Sequence, residues 1–405
     1  MAIKNKTVFM LIDAFRYDYL DRGLTPFLDS QKIKGQYTKK IIPGHGFCER
    51  AEMFGGKKPS ESGFFTAIDL SKEENIYSRY SWVLNILNFI NNIFNSKLIN
   101  KIIRRLIWEV VNKTKHPMHP YRIPLNMLKY FSLTEDYIDM RKKNALGFES
   151  IFDYLNDKNL KYFYDSCTSL SLAQNGNDQD RLNLALKNAN DDSSIYFVYI
   201  GSADAIAHKY GTTSKEINNT IQTIDSQMKD FVKDFSKINP DTKYIFLGDH
   251  GMIDIDTIVN AQEIIDDIMA KHQLKIELDY NIFLDSTLIR VWIKDKLNKE
   301  KIKKDFLLNS ELTSNGIFLT QKLASDLKIP YDVHSADVMW WANPGVLISP
   351  DFFHTKNEVK KAMHGYLNTH KDSHGFCIVS GKNIDSSSVE SEELTDIFSK
   401  LKDIE

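Results

Sequence analysis

The chain has 405 residues, more than one typical domain, and 42 % of them are hydrophobic, enough for a sizeable core. Its 52 Lys and Arg against 54 Asp and Glu leave a net charge of −2, which gives no electrostatic case for a nucleic-acid polymer as partner. Three widely spaced cysteines, Cys48, Cys167 and Cys377, form neither a disulfide framework nor a Cys-x-x-Cys metal pair, so a reducing, cytoplasmic setting is expected. The first apolar run, 8–12, is too short for a signal-peptide core and ends on Asp13, so no signal peptide is expected before it. Residues 7–13 read as a buried parallel strand. A helix is predicted over 17–32, with Thr25-Pro26 suiting a helix start, and another over 47–54. That second helix follows Pro43-Gly44-His45-Gly46, a loop able to bring backbone close to a ligand. A helix over 146–155, strands at 161–164 and 195–200, a helix from about 214 to 235 and a strand at 243–247 continue the alternation. Such alternation indicates an α/β fold, a mostly parallel sheet with helices on both faces.

Two stretches interrupt the pattern. Within 69–145, the segment 82–111 carries apolar residues at Ile86, Ile90, Ile93, Phe94, Leu98, Ile102, Leu106 and Val110, a long helical stripe with Lys97, Lys101, Arg104 and Arg105 nearby. Recurrent Asn, Lys and Arg exclude a membrane span. The plain reading is a helical cap packed on the core or on a second subunit; the sharper one is a lid over a greasy substrate or a membrane-surface helix. Within 257–335, strands at 283–284 and 287–293 around a turn and a helix at 297–308 suggest a small α+β cap. The expected organisation is a core in three parts (1–68, 146–256 and 336–405) with a helical insertion at 69–145 and the cap at 257–335.

The chemistry sits at the ends of the apolar runs. Asp13 follows 8–12, Asp204 and His208 follow 195–200, Asp249-His250 follow 244–247, and His364 stands in Met363-His364-Gly365-Tyr366. A single Asp at a strand end is more often a helix cap or turn residue. Asp204 and His208, however, share a face at helical spacing, and Gly248 and Gly251 free the backbone around Asp249-His250. Carboxylates and imidazoles are ligands of zinc and similar divalent ions, and sites in such sheets form outside the carboxyl ends of the strands. Six such donors suit two ions, and two-metal sites act on phosphoryl groups.

The ordered set resembles the alkaline-phosphatase superfamily, in its nucleotide pyrophosphatase/phosphodiesterase branch. The elements that carry the resemblance are Asp13, Gly55-Gly56-Lys57-Lys58-Pro59, Asp204-Ala-Ile-Ala-His208, Asp249-His250-Gly251-Met252 and His364-Gly365-Tyr366, with 376–381 similar to the family's closing strand. The segment 283–292 resembles the small cap of bacterial and archaeal members. The match covers most of the chain except 69–145. The resemblance implies one metal held by Asp204, His208 and His364, and another held by Asp13, Asp249, His250 and a nucleophile. His370 and His374 lie near His364 in sequence, with His374 either close to substrate or on the surface.

One departure matters. The family places a Thr, Ser or Cys ten residues before the last Gly of a Thr-Gly pair; counting back from Gly56 reaches Gly46. The nearest side-chain nucleophile is Cys48, expected at a helix N-terminus with its sulfur toward the Asp13/Asp249/His250 metal. Its plain reading is a small buried residue. Arg50 is expected to pair with a phosphate or sulfate, its plain reading being a surface salt bridge; Glu49 and Glu52 suit a helix start. The reaction implied is metal-dependent hydrolysis or transfer of a phosphoester, most readily a phosphodiester, with two divalent ions, zinc or manganese. Substrates would be phosphorylated small molecules, nucleotides, or lipid or glycan phosphates. Alternatives are a sulfatase, phosphonate hydrolase or phosphomutase on the same metals, or a metal-binding pseudoenzyme. Residues 82–111 would serve a homodimer or a membrane surface.

Overall fold

Seven strands form the sheet that organises the site: β1 (Thr7–Ile12), β2 (Gln36–Ile42), β3 (Tyr162–Tyr164), β4 (Ile195–Ile200), β5 (Lys243–Gly248), β6 (Gly375–Gly381) and β7 (Ser387–Glu393). They were seen in a computed structural model that describes residues 6–71, 74–114, 118–135, 138–164, 177–332, 335–354, 359–382 and 384–403. Their order across the sheet is β7–β2–β6–β5–β1–β4–β3. β1 runs parallel to both β4 and β5, with Ile12 beside Ile200 and Gly248. β6 is antiparallel to its neighbours β5 and β2, so it alone runs against the rest. Every residue of β1 is buried, as expected of a strand covered on both faces. Side chains alternate between the faces of a strand: Val8, Met10 and Ile12 enter one core with Ile217, Ile221, Met228 and Phe235 of the helix Lys215–Ile238. Phe9 and Leu11 enter the other with Met53, Phe54, Phe152 and Ile397.

The helix predicted over 17–32 is in fact two. A 3-10 turn, Tyr17–Arg22, ends at Gly23 with φ 68°, and an α-helix, Pro26–Lys34, begins with Pro26 in its first turn. Thr25 does not cap this helix with its side chain. The Asp225 carboxylate does, accepting from the Phe27 and Leu28 amides at 3.0 and 2.9 Å. The helix predicted over 146–155 starts later, at Ile151 (Ile151–Asp157), where Ser150 and Asp153 form a capping box. The long helix read over 82–111 is also two, Ser81–Phe94 and Lys97–Val111, because Asn95 takes a left-handed turn at φ 41°.

The chain divides into two units. The first holds Met1–Phe64, Ile138–Ile255 and Lys360–Glu405, and with them the seven-stranded sheet. The second holds Phe65–Tyr137 and Asp256–Val359. While 138–145 join the first unit, most of the expected helical insertion, 69–137, and the expected small cap, 257–335, therefore belong to one body, which also takes 65–68, 256 and 336–359 from the expected core. Its antiparallel sheet orders Tyr280–Leu284, Leu288–Ile293, Val338–Ala342 and Gly316–Phe318. Arg290 ties the two segments together from inside. Its buried guanidinium donates to Thr66 Oγ1 at 2.9 Å, Asp69 Oδ1 at 2.8 Å and the Ile68 carbonyl, with Asp285 at 3.3 Å. A buried charge needs that full set of acceptors. Cys48 and Cys377 are buried; Cys167 lies outside the described residues.

Candidate active site

All the expected site residues that are brought together lie in the first unit, at the carboxyl ends of its parallel strands. Asp13 follows β1 directly, and Asp249-His250 follow β5. Asp204 and His208 lie one turn apart on the helix Ser202–Tyr210 after β4. The Asp178 carboxylate fixes the start of that helix by accepting from the Gly201 and Ser202 amides at 3.0 and 3.2 Å. His364 follows the two-residue strand Ala362–Met363, which pairs with Ile253–Asp254 just beyond Asp249-His250. Gly365 has φ 80°, and a Cβ there would meet the Phe47 ring at 2.1 Å. Only glycine lets the chain turn at that point with Phe47 beside His364.

Two triads result. Asp204, His208 and His364 offer ligand atoms all within 4.8 Å of one another, and so do Asp13, Asp249 and His250. The triads touch through His250 and His364, whose rings stack with centroids 4.4 Å apart. His208 Nδ1 lies 2.8 Å from the Ala362 carbonyl, and His250 Nδ1 lies 2.9 Å from the Gly251 carbonyl. A carbonyl only accepts, so each Nδ1 carries the proton and each Nε2 is free for a ligand role. His208 Nε2 then faces Asp204 Oδ1 at 3.2 Å, and His250 Nε2 faces Asp13 Oδ1 at 3.2 Å.

These atoms fit divalent ions. Asp204 Oδ1 and His364 Nδ1 are buried without a hydrogen-bond partner, a costly arrangement unless a cation compensates it. Asp249 Oδ1 is oriented by the Ala14 and His250 amides at 3.2 and 2.9 Å, and the Tyr199 hydroxyl donates to Asp13 Oδ2. The charges are strongly opposed. Burial alone would raise the Asp13 carboxyl, but His250, then Arg50 and Tyr199, hold it below the ordinary range. Burial, with Asp13 and Glu49 nearby, pushes Asp249 up to about 7. Burial opposes charge on His250, yet Asp249, Asp13 and Glu49 lift it well above the ordinary histidine value. His364 is driven well down by burial and by the neighbouring His250 and His208. Crowded carboxylates, with His250 raised among them and His364 lowered beside it, are an environment a dication would balance.

The remaining expected residues sort as follows. Arg50 is close enough to act on the charges of Asp13 and Asp249. Cys48 is the residue just before the helix Glu49–Gly55, as expected, but its sulfur belongs to none of the metal-competent groups among the described residues. It is also absent from the lining of the adjoining cavity, which includes Pro43, Gly44, Gly46, Glu49, His250 and His364. Gly46 has φ 114°, a conformation that side-chain-bearing residues rarely adopt. Gly55 stands where the family pattern has Thr; a Cβ there would meet the Phe148 ring at 2.3 Å. His374 Nε2 donates to the Asn368 carbonyl at 2.7 Å, and His370 Nδ1 accepts from the Asp372 amide at 3.3 Å; both stay outside the metal-competent groups. Glu52 accepts from the Gly44 amide at 2.9 Å and shapes the loop. Sequence reasoning missed two residues: Tyr199, hidden inside an apolar strand, and Glu49, which forms a third group with His250 and His364.

A sheet with one reversed strand, bearing two touching Asp/His triads at its carboxyl edge, is the arrangement that the resemblance to the alkaline-phosphatase superfamily implies. The comparisons make this specific. The family model described as type I phosphodiesterase / nucleotide pyrophosphatase matches residues 7–367, and the chain belongs to that family. No curated protein matches by sequence. Among solved structures, human ectonucleotide pyrophosphatase/phosphodiesterase 5 is similar with a TM-score of 0.69 at 13 % identity, covering 99 % of this chain and 95 % of that one. The murine counterpart gives 0.67 at 13 %, covering 98 % and 94 %. An inactive threonine-to-alanine form of the murine protein, in complex with AMP, gives 0.65 at 13 %, covering 99 % and 96 %.

Proposed function

We propose that this chain is a two-metal phosphodiesterase acting on a nucleotide-like or other phosphorylated small molecule, with zinc or manganese as its ions. The observation that carries this reading is the pair of Asp/His triads joined by the stacked His250 and His364 rings. Asp13, Asp249 and His250 would hold one ion; Asp204, His208 and His364 would hold the other. When bound, two such ions neutralise the charge building on phosphoryl oxygens and activate the attacking oxygen. The chain's own groups do the rest. Arg50, close to Asp13 and Asp249, would pair with non-bridging oxygens of the substrate. Gly44 and Gly46 line the cavity with backbone, so a phosphoryl group can approach closely. The AMP complex of the murine neighbour supports a nucleotide substrate here. The three widely spaced cysteines, with no Cys-x-x-Cys pair among them, support a reducing, cytoplasmic setting.

The absence of Cys48 from the groups of possible metal ligands and from the lining of the cavity beside Glu49 supports water, not a thiolate, as the attacking group. Cys48→Ala is therefore expected to keep both metals and at least half of the turnover, on the order of a twofold change, as for a buried small side chain outside the site. Loss of all turnover with metals retained, and partial rescue by Cys48→Ser, would return the role to the sulfur.

The substrate class is tested on the metal-loaded chain with chromogenic esters. Bis-p-nitrophenyl phosphate is expected to turn over faster than p-nitrophenyl phosphate and p-nitrophenyl sulfate, with either Zn²⁺ or Mn²⁺, and chelation should stop it. Preference for the sulfate would assign a sulfatase. Failure on every ester would leave metal binding without catalysis.

A second proposal concerns the helices Ser81–Phe94 and Lys97–Val111. Trp82, Ile86, Phe89, Ile93 and Phe94 on the first, and Leu98, Ile102, Leu106 and Val110 on the second, are between 49 and 66 % exposed. So many exposed apolar side chains mark an interaction surface. Lys97, Lys101, Arg105 and Lys113 are exposed beside them against a single acidic residue, Glu109. No helix among the described residues is long and apolar enough to cross a membrane. Apolar rows with cationic flanks suit an anionic lipid surface, and we propose that this face docks there.

A further inference from the structure

We infer that Glu49 is a metal ligand shared between the two triads; this rests on the two-metal reading above. One carboxylate oxygen of Glu49 and one nitrogen each of His250 and His364 lie within 4.8 Å of one another. His250 belongs to the Asp13 triad and His364 to the Asp204 triad, and their rings are in contact. Among the described residues, Glu49 is the carboxylate that groups with a member of each. It is only 9 % exposed and lines the cavity together with Gly46, His250 and His364.

Position and charge agree. Glu49 opens the helix Glu49–Gly55, so its backbone is fixed by the element that follows the Gly44–Gly46 loop. At Gly46 there is no side chain, and its φ of 114° disfavours one. Three residues on, the Glu49 side chain brings a carboxylate oxygen beside His250 and His364. Asp13, Asp204 and Asp249 bring three negative charges, and two divalent ions bring four positive ones. Glu49 supplies a fourth negative charge against the two ions and the neighbouring Arg50 cation, which a buried cluster of this kind favours.

The test reads metal content, independently of turnover. Gel-filtered wild type and Glu49→Gln, each loaded with Zn²⁺ or Mn²⁺, are assayed by elemental analysis and by titration of the metal-free chain. Wild type is expected to hold two ions. Glu49→Gln, nearly isosteric, is expected to hold one tightly and to bind the second on the order of 10- to 100-fold more weakly. Glu49→Asp should fall between, and it serves as the readout if the Gln variant does not reach the wild-type metal-free melting temperature. Two ions at wild-type affinity in either folded variant would overturn the role of Glu49 alone. Fewer than two ions in wild type would overturn the two-metal reading beneath it.

Discussion

Replacing Asp249 by alanine is expected to remove one ion and nearly all turnover together. Asp249 is buried at the end of β5, with one carboxylate oxygen held by two backbone amides. Its loss takes a carboxylate from the Asp13/His250 triad and leaves those amides facing a void. A metal contributes several kcal/mol to stabilising charge in phosphoryl transfer, and several kcal/mol corresponds to roughly a thousandfold or more in rate. Asp204→Ala should do the same to the other ion. His374→Ala, outside both triads, should leave metal content unchanged and serves as the control. The measurements are metal stoichiometry and diester turnover on the same samples. Full metal content in Asp249→Ala would refute the ligand assignment, whatever the activity.

The exposed helical face carries the second large effect. Wild type is expected to sediment with vesicles of mixed neutral and anionic lipid, to stay in solution with purely neutral vesicles, and to be released by high salt. Phe89→Ser, Leu98→Ser and Leu106→Ser together should abolish binding, because they remove apolar area that would enter the interface. Lys97→Gln, Lys101→Gln and Arg105→Gln together should weaken it by about 3 kcal/mol, at about 1 kcal/mol per cation. That is roughly a hundredfold in partition. Both sets lie in the second unit, so turnover of a small soluble diester should not change. Wild type that ignores anionic vesicles but forms a dimer disrupted by the apolar set would assign this face to a second copy.

The site was legible in the sequence to the extent that its residues end local elements. Asp13 and Asp249 stop short apolar runs, and Asp204 and His208 obey helical spacing. The strand signal and the donor signal coincide in each segment, so order along the chain was enough to suggest convergence. The α/β class was legible for the same reason: buried parallel strands read as continuous apolar runs. Boundaries were less legible. Gly23 and Asn95 break two helices with left-handed turns, while the apolar periodicity runs on through both breaks.

What only the tertiary structure decided is where non-local partners meet. Asp225 rather than Thr25 caps the helix Pro26–Lys34, and Asp178 caps the helix that carries Asp204 and His208; neither has a local signal, because each carboxylate comes from a distant helix. The insertion and the cap read as separate pieces, yet Arg290 finds its acceptors at Thr66, Ile68 and Asp69 and makes them one unit. Glu49 read as a residue suited to a helix start, and Cys48 as the reactive group, because sequence ranks nucleophiles by chemistry. The fold instead ranks them by direction: it turns Glu49 toward His250 and His364 and leaves the Cys48 sulfur outside the ligand groups. Residue types and their spacing fix which atoms can bind a metal, but the backbone path through Gly44 and Gly46 fixes which of them face it.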